Sequence, residues 1–287
     1  MASDRITSFK VMKVVGVLLA VGGMCSQWNS FGPSSYVRFD LVGTADAAET
    51  NTPIVAYESF IDSEAIRLLR HMGKYLGAAQ VFSFRADITE DTVLSNGQKV
   101  QYGGTANIEV RRPNKLHVRF SGDERRTQVF YDGKTFTILD MAKSVYTKTD
   151  VPPTIDAAVD KIFDRYGFSI PVADLVYENP FRILIENVET GFIAGRTLID
   201  GKPTFHLAFS QKEIDWQIWI EDGPRPLPRK LLITYKDENG SPQYTAVFSS
   251  WDFQPRLSEA FAEFHPLPQS QEIKFIELSS SQPKTEN

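Results

Sequence analysis

Apolar and polar residues alternate with a period of two over much of the chain between Val81 and Trp251, as they do in half-buried β-strands. The alternation is clearest from Asp215 onward, where apolar runs are separated by turns rich in Gly, Asn and Pro. Glycine and asparagine accept the positive φ of tight turns, and proline interrupts a hydrogen-bonded ladder. A meander of three antiparallel strands is predicted here, over 215–220, 230–235 and 243–251.

The same period predicts further strands on both sides of the chain's centre. Asp132-Gly133 is a strong hairpin signal, and Gly103-Gly104 predicts a kink inside a strand. Six strands are predicted before Pro152-Pro153, at 81–88, 100–110, 115–120, 128–131, 135–140 and 144–149. Three more are predicted after it, at 183–190, 193–200 and 203–209.

Helices are predicted where the apolar spacing changes to three and four residues. One helix covers 65–79, with Asp62 or Ser63 as its cap, and a second covers 155–166 behind the cap Thr154. A short third helix is predicted at 171–178, with Pro171 in its first turn.

These elements define a mainly β fold of the α+β class. A twisted sheet of about 11 strands curls on itself, so we expect a large curved antiparallel sheet, an unclosed half-barrel, with helices covering its concave face. The central helices interrupt one long meander, so neither half stands alone and a single domain is predicted at 48–278. Residues 255–278 return over the surface, and 279–287 form a flexible tail.

The first 47 residues are predicted to be a leader. Lys10 and Lys13 precede the uncharged apolar run 14–24, which is shorter than the ~20 residues that cross a bilayer. This pattern is typical of a secretory signal peptide, with a buried N-terminal helix or a short membrane anchor as the alternatives. Cleavage is expected at Ala45-Asp46-Ala47 or earlier, near 22–26.

Cys25 is the only cysteine in the chain. A lipoprotein signal normally has a small residue before its cysteine, whereas Met24 stands here, so a lipid anchor on Cys25 is not expected. The folded part then has neither disulfide nor thiol chemistry. The formal net charge is −5 at pH 7, and the residues beyond 47 are more acidic still. This charge lacks the basic surface of nucleic-acid-binding proteins, so no nucleic-acid partner is expected.

No catalytic or cofactor motif is present in the sequence. The chain has no glycine-rich nucleotide loop, no H-E-x-x-H and no cysteine pair, so we expect no cofactor, no metal site and no enzymatic activity. The four histidines are far apart along the chain. We expect His117 to be solvated on the polar face of its strand and His206 to be a satisfied or edge histidine. Carboxylate pairs such as Glu90-Asp91 are predicted to be solvated turn residues.

Six basic residues fall on two neighbouring predicted strands and their turn. They either form a basic strip for lipid phosphates or an acidic partner, or are ordinary outward-facing strand charge offset by Asp123 and Glu124, the interpretation we favour. The six are Arg111, Arg112, Lys115, Arg119, Arg125 and Arg126.

Several segments together resemble a family of predicted periplasmic proteins known as a domain of unknown function, over about Ile61 to Pro268. The segments are RHMGKYLGAAQVFSFRAD, NGQKVQYGGTANIEVRRPNKL, TQVFYDGKTFTILDMAKSVY at 127–146 and DWQIWIEDGPRPLPRKLLITYKDENGSPQYTAVF at 215–248. More distantly, the F-Y-D-G-K hairpin and the ending at Phe261, Phe264 and Pro266 resemble the lipoprotein carriers LolA and LolB. That resemblance implies a LolA-like unclosed barrel whose concave apolar face, roofed by helices, accepts acyl chains. A similar fold occurs in an envelope-stress sensor.

The leading hypothesis is a monomeric periplasmic protein that binds or carries a lipid or another acylated molecule. The second is an envelope sensor or protein-interaction module with a protein partner, and the third is a lipid hydrolase. The residues expected to line a ligand cavity, or else to form core beneath the helices, are Phe84, Leu116, Val118, Phe120, Tyr131, Phe136, Ile138, Trp216, Ile218, Leu231, Ile233 and Tyr235.

Overall fold

The structure of the protein is a computed structural model that describes residues 60–170 and 172–275. The predicted leader at 1–47, with Cys25, and the predicted tail at 279–287 lie outside the described residues, as does Pro171. No helix in the described ranges is long and apolar enough to cross a membrane.

The described chain contains three α-helices and one 3-10 helix, and side-chain caps fix where the longer helices begin. The bounds are Ser63–Ala78 for α1, Ile155–Tyr166 for α2, Ala173–Leu175 for the 3-10 helix and Pro180–Ile185 for α3. The Asp62 carboxylate caps α1, and the Thr154 hydroxyl caps α2. Gly167 ends α2 with a φ of 65°, in the left-handed region that favours glycine. The predicted helices at 65–79 and 155–166 are confirmed, and the one predicted at 171–178 is shorter.

The helix α3 stands where the apolar run predicted a strand at 183–190. The Asn179 side chain accepts a hydrogen bond from the Arg182 N–H at 3.1 Å, and Pro180 occupies the first helical turn, where no N–H is needed. The predicted strand was wrong because a helix cap and its proline were interpreted as a turn between strands.

One sheet of twelve strands organises the described chain. The strands are β1 Val81–Val93, β2 Lys99–Arg111, β3 Lys115–Gly122, β4 Arg126–Tyr131, β5 Thr135–Asp140, β6 Val145–Asp150, β7 Thr190–Ile199, β8 Lys202–Ser210, β9 Ile214–Glu221, β10 Pro228–Tyr235, β11 Gln243–Asp252 and β12 Gln271–Glu272. Their order across the sheet is β12-β6-β5-β4-β3-β2-β1-β11-β10-β9-β8-β7. The sheet is unclosed, because β12 and β7 lie at its opposite edges, and it is antiparallel except where β12 pairs with β6.

Two meanders meet at a single non-local pair of strands. The strands β1 to β6 run in sequence toward one edge of the sheet, and β11 back to β7 run toward the other. The pair of β1 with β11 joins them, with Ala86 opposite Phe248. The meander predicted over 215–251 is confirmed as β9, β10 and β11, but its position beside β1 was not predicted.

One face of the sheet, called here the inner face, is apolar across its width. Cross-strand partners point to the same side of a sheet, and the row Phe84, Ile108, Val118, Val129 and Ile138 runs over β1 to β5 on this face. The apolar stripes of α1 and α2 belong to the same core as these residues. The core therefore lies between the inner face and the helices, as expected for the concave face.

The opposite, outer face is covered in part by the segment that follows β11. Phe264 of this segment packs on Phe130 and Tyr146, with ring centroids 5.4 and 4.7 Å away. Glu259 pairs with Arg111 at 3.0 Å. This segment is the predicted surface return, and it ends by adding the short strand β12 to the edge of the sheet.

Candidate functional site

The strand register places all twelve predicted cavity residues on the inner face. Phe120 and Ile138 are half-buried, and the other ten are buried. Seven of them lie on β1 and β3 to β5, and five on β9 and β10, with β11 between the two groups. The structure thus brings the set together as one apolar surface; that this surface holds a ligand stays a prediction.

Helix side chains fill the space above the inner face in this structure. Two pockets adjoin it, with volumes of about 30 Å³ and about 10 Å³. Each has room for roughly one water molecule, whereas pockets for drug-sized ligands measure about 300–1,000 Å³. An acyl chain would therefore reach the inner face only after a helix had moved.

The helix α1 is packed tightly onto its neighbours. It lies against α3, β7 and β9, and Gly73 allows the close approach to α3. A Cβ added at Gly73 would lie 2.6 Å from the Cβ of Phe181, closer than real side-chain carbons come. A side chain larger than hydrogen at position 73 would therefore push α1 and α3 apart.

The helix α2 is tied to the rest of the molecule differently, by its apolar stripe and by polar contacts with flanking loops. Lys161 Nζ donates to the Asp150 carbonyl at 2.6 Å, and the Glu178 N–H donates to the Asp156 carboxylate at 3.0 Å. The Tyr177 hydroxyl donates to Asp160 at 2.7 Å, and the smaller pocket lies between α2 and the segment that carries Tyr177. Of these partners, Asp150 is the last residue of β6, and Tyr177 and Glu178 lie between the 3-10 helix and α3.

Arg112 is a buried arginine that joins α1 to the 3-10 segment, and the sequence did not predict this position. Its Nε donates to the Ala79 carbonyl at 3.0 Å and its Nη1 to the Val176 carbonyl, while no described residue accepts a bond from Nη2. Burial lowers the pKa of this guanidinium. The interpretation of all six basic residues as outward-facing strand charge is wrong for Arg112.

Three of the other basic residues each contact a different neighbour. Arg119 pairs with Glu109 at 3.2 Å, and Lys115 Nζ donates to the Glu259 carbonyl at 2.9 Å. Arg125 lies 5.2 Å from the ring centroid of Phe120. No continuous basic strip is formed by the six residues, because Arg112 is buried and its neighbours have separate partners.

Four polar atoms in or above the apolar surface are buried without a hydrogen-bond partner among the described residues. They are Trp216 Nε1, Trp251 Nε1, Tyr244 Oη and Asp174 Oδ1. Most buried polar groups in proteins are paired, so each exception calls for an explanation. Burial raises the pKa of Asp174 to about 7, against the opposing effect of a hydrogen bond from its own backbone.

Glu90 is a second acid whose position the sequence misjudged. It was predicted to be a solvated turn residue, but it lies within β1, opposite Tyr102 on β2 and Tyr244 on β11. Burial raises its pKa to about 7; Arg125 lowers it, and Glu124 and Glu238 add to the rise. The sequence signal that was available is the strand period, which continues through Glu90 on the inner face.

The predictions for the two histidines on strands had different outcomes. His117 was predicted to be solvated, but it is buried, stacked on Phe130 with ring centroids 4.6 Å apart, and bonded to Glu109 and Gln128. His206 is satisfied as predicted, because its Nε2 lies 2.8 Å from the Gln217 side chain. Within 60–170 and 172–275, no group of three or more His, Cys, Asp or Glu could hold a metal ion.

The chain belongs to the family described as "Predicted periplasmic protein (DUF2092)", whose model matches residues 65–276. No match was found among curated proteins.

Several solved structures are similar to the chain at low identity. Lipoprotein LppX from Mycobacterium tuberculosis is 13% identical, with 69% of this chain and 100% of that one covered and a TM-score of 0.43. LprF from Mycobacterium bovis is 15% identical, with 67% and 94% covered and a TM-score of 0.42. A LolA superfamily protein from Nitrosomonas europaea is 8% identical, with 69% and 97% covered and a TM-score of 0.35.

Proposed function

We propose that this protein is a periplasmic, non-enzymatic binding or carrier protein for a lipid or another acylated molecule. The observation that carries the proposal is the inner face itself, a continuous apolar surface on an unclosed sheet, covered by helices rather than by a second sheet. In the proposed cycle, α2 moves aside and an acyl chain takes its place against β3 to β5. The twelve inner-face residues predicted from the sequence are the proposed lining.

The free energy that displacing α2 would cost and the free energy that burying an acyl chain would contribute are of similar size. Returning the apolar stripe of α2 to water costs roughly 6–12 kcal/mol, at about 1.5–3 kcal/mol for each large side chain. Burying an acyl chain of about 14 carbons contributes about 11 kcal/mol, at ~0.8 kcal/mol for each methylene. A single chain therefore offsets the displacement of α2, whereas a short chain does not. The stripe consists of Ile155, Ala158, Val159, Ile162 and Tyr166.

Tryptophan emission tests this proposal, because the chain carries a matched pair of reporters. Trp216 is buried on the inner face, and Trp219 lies on the outer face of the same strand, stacked on His206. Trp28 and Trp251 are replaced by Phe in both variants, because Trp251 also stacks on the inner-face residue Phe84 at 4.3 Å. In that background, adding a long-chain fatty acid to the purified protein is expected to change the emission of the Trp219→Phe variant and not that of Trp216→Phe. Native mass spectrometry of protein purified from a periplasm should show a copurified lipid. If neither experiment detects lipid, the carrier proposal is wrong.

A protein partner is the second candidate, and the edge strand β7 favours it. Phe192 and Leu198 on this strand are large apolar residues with 40% and 65% of their surface exposed, and an edge strand offers backbone groups to another chain. Crosslinking in the envelope that returned one stoichiometric protein and no lipid would support this function instead.

The lipid hydrolase hypothesis receives less support from the site. The hydrogen bonds of His117 and His206 described above go to Glu and Gln side chains rather than to a serine, so neither has the partner that nucleophilic catalysis requires. We also propose that the protein is exported by its N-terminal signal peptide and acts as a monomer. Sequencing the N-terminus of the exported protein and light scattering would test these two points.

A further inference from the structure

A small pocket opens at one rim of the inner face, where β1, β2, β3 and β11 come together. We call it the rim pocket, and its floor is the ring of Phe120. Gly104 and Gly122 permit this floor, because a Cβ at Gly104 would lie 2.4 Å from the ring and a Cβ at Gly122 would lie 2.9 Å from it. The two glycines thus let an aromatic ring lie flat where other residues would push it out.

The pocket holds hydrogen-bond acceptors that lack partners. Tyr244 lines it, has 1% of its surface exposed, and no described residue bonds to its Oη. Glu90 lines it too, and no described residue donates a hydrogen bond to its carboxyl group; burial raises the pKa of that group to about 7. A half-buried carboxyl without a donor is less stable when it is ionised, so the site would gain most from a ligand that brings both a proton donor and a positive charge.

The other walls have the same preference for a cation. Tyr102 and the floor residue Phe120 present aromatic rings, whose faces attract cations. Asp123 and Glu124 add two carboxylates at the solvent side, although Asp123 already accepts the Gly103 N–H at 2.7 Å. Arg125 is the single basic residue of the lining. The volume of about 30 Å³ suits a small cation such as a primary ammonium, and a primary ammonium, unlike a trimethylammonium group, can donate hydrogen bonds.

We propose that the rim pocket binds the primary ammonium group of a phosphoethanolamine head group, between Glu90 and the Tyr244 hydroxyl. Arg125, at the pocket's edge, then faces the phosphate. This inference rests on the proposed function, because Phe120 belongs both to the rim pocket and to the apolar surface that would hold the acyl chains. The same ammonium chemistry is available from a lipid or from a free head group, and the two sources are separable by experiment.

Isothermal titration calorimetry with the full chain tests the proposal. The probes are 1-myristoyl lysophosphatidylethanolamine, whose single chain has 14 carbons, the lysophosphatidylglycerol and lysophosphatidylcholine analogues with the same chain, and soluble O-phosphoethanolamine. One charge-assisted hydrogen bond corresponds to about tenfold or more in affinity, so the ethanolamine lipid is expected to bind at least about tenfold more tightly than the other two lipids. Glu90→Gln should abolish that preference, and Tyr244→Phe should reduce it. The matched control Glu213→Gln, an exposed acid outside the pocket lining, should retain it.

The outcomes separate the two proposals. Equal binding of all three lipids, or an unchanged preference in Glu90→Gln, overturns the ammonium site and leaves the acyl-binding function standing. Binding of O-phosphoethanolamine that depends on Glu90, with no gain from acyl chains, supports the ammonium site and overturns the carrier function. If no probe binds, both proposals are wrong. Circular dichroism of each variant confirms that a lost preference does not reflect unfolding.

Discussion

Replacing Asp174 by Asn should stabilise the protein at neutral pH and hardly at all in acid. Asp174 lies in the 3-10 helix with 4% of its surface exposed, and its Oδ1 has no partner among the described residues. Burial raises the pKa of this carboxyl from 3.8 to about 7 in the folded protein. The folded state therefore disfavours the charged form, and the penalty grows as the pH rises from the unfolded pKa to the folded one.

The size of the effect follows from the pKa shift. At ~1.36 kcal/mol for each pKa unit, Asp174 lowers the free energy of unfolding by about 4 kcal/mol at pH 8 and by about 2 kcal/mol at pH 5. Asparagine has the same shape and cannot ionise, so Asp174→Asn removes this penalty at every pH. Its amide adds a pH-independent cost of desolvation of about 1–3 kcal/mol, which makes the change with pH the decisive quantity.

Urea unfolding of the wild type and of Asp174→Asn at pH 5 and pH 8 measures this change. The gain in the free energy of unfolding should be about 2–3 kcal/mol larger at pH 8 than at pH 5. Asp200→Asn is the control, because Asp200 is exposed and its φ of 49° suits asparagine equally well. A gain that is the same at both pH values would show that Asp174 is not held in a pKa-raising environment.

Three further substitutions test other parts of the structure by the free energy of unfolding. Gly104→Ala should lose about 1–3 kcal/mol, since its Cβ overlaps an aromatic ring. The control Gly223→Ala should leave the free energy of unfolding unchanged, because there is open space around Gly223. Equal losses in the two variants would contradict the close packing at Gly104. Arg112→Lys should lose about 1–3 kcal/mol, because an ammonium cannot copy the fork that bonds two carbonyls; an unchanged value would refute the joining role. Phe264→Ala should lose about 1–3 kcal/mol without changing fatty-acid affinity, because Phe264 covers the outer face; weaker lipid binding in a folded variant would contradict that separation.

Local elements of this fold were predictable because each has a local cause. The Asp132-Gly133 turn fixes one hairpin, and the caps Asp62 and Thr154 fix two helices. The same reasoning applies to α3. Its cap, Asn179, is visible in the sequence, but the apolar run that follows the cap led to the prediction of a strand.

The features that could not be predicted from the sequence depend on contacts between residues far apart in the chain. The pairing of β1 with β11 places Tyr244 beside Glu90 and buries part of that acid, and no local pattern reports this neighbour. His117 is buried because Phe130 stacks on it and is itself covered by Phe264 from the segment after β11. The inner face was predictable from its period, whereas its filling by helix side chains depends on how α1 and α2 pack in three dimensions.

The pairing of β1 with β11 also determines when the sheet can be completed during folding. Ala86 and Phe248 are neighbours in the sheet although most of the chain separates them. During synthesis or export from the N-terminus, one edge of β1 stays unpaired until β11 emerges. Contacts between residues that are so far apart in the sequence form slowly. The unfinished sheet is exposed to association with other chains throughout that delay. Chaperones that cover unpaired strand edges would act at this stage. A truncation before β11 would leave the edge of β1 permanently unpaired.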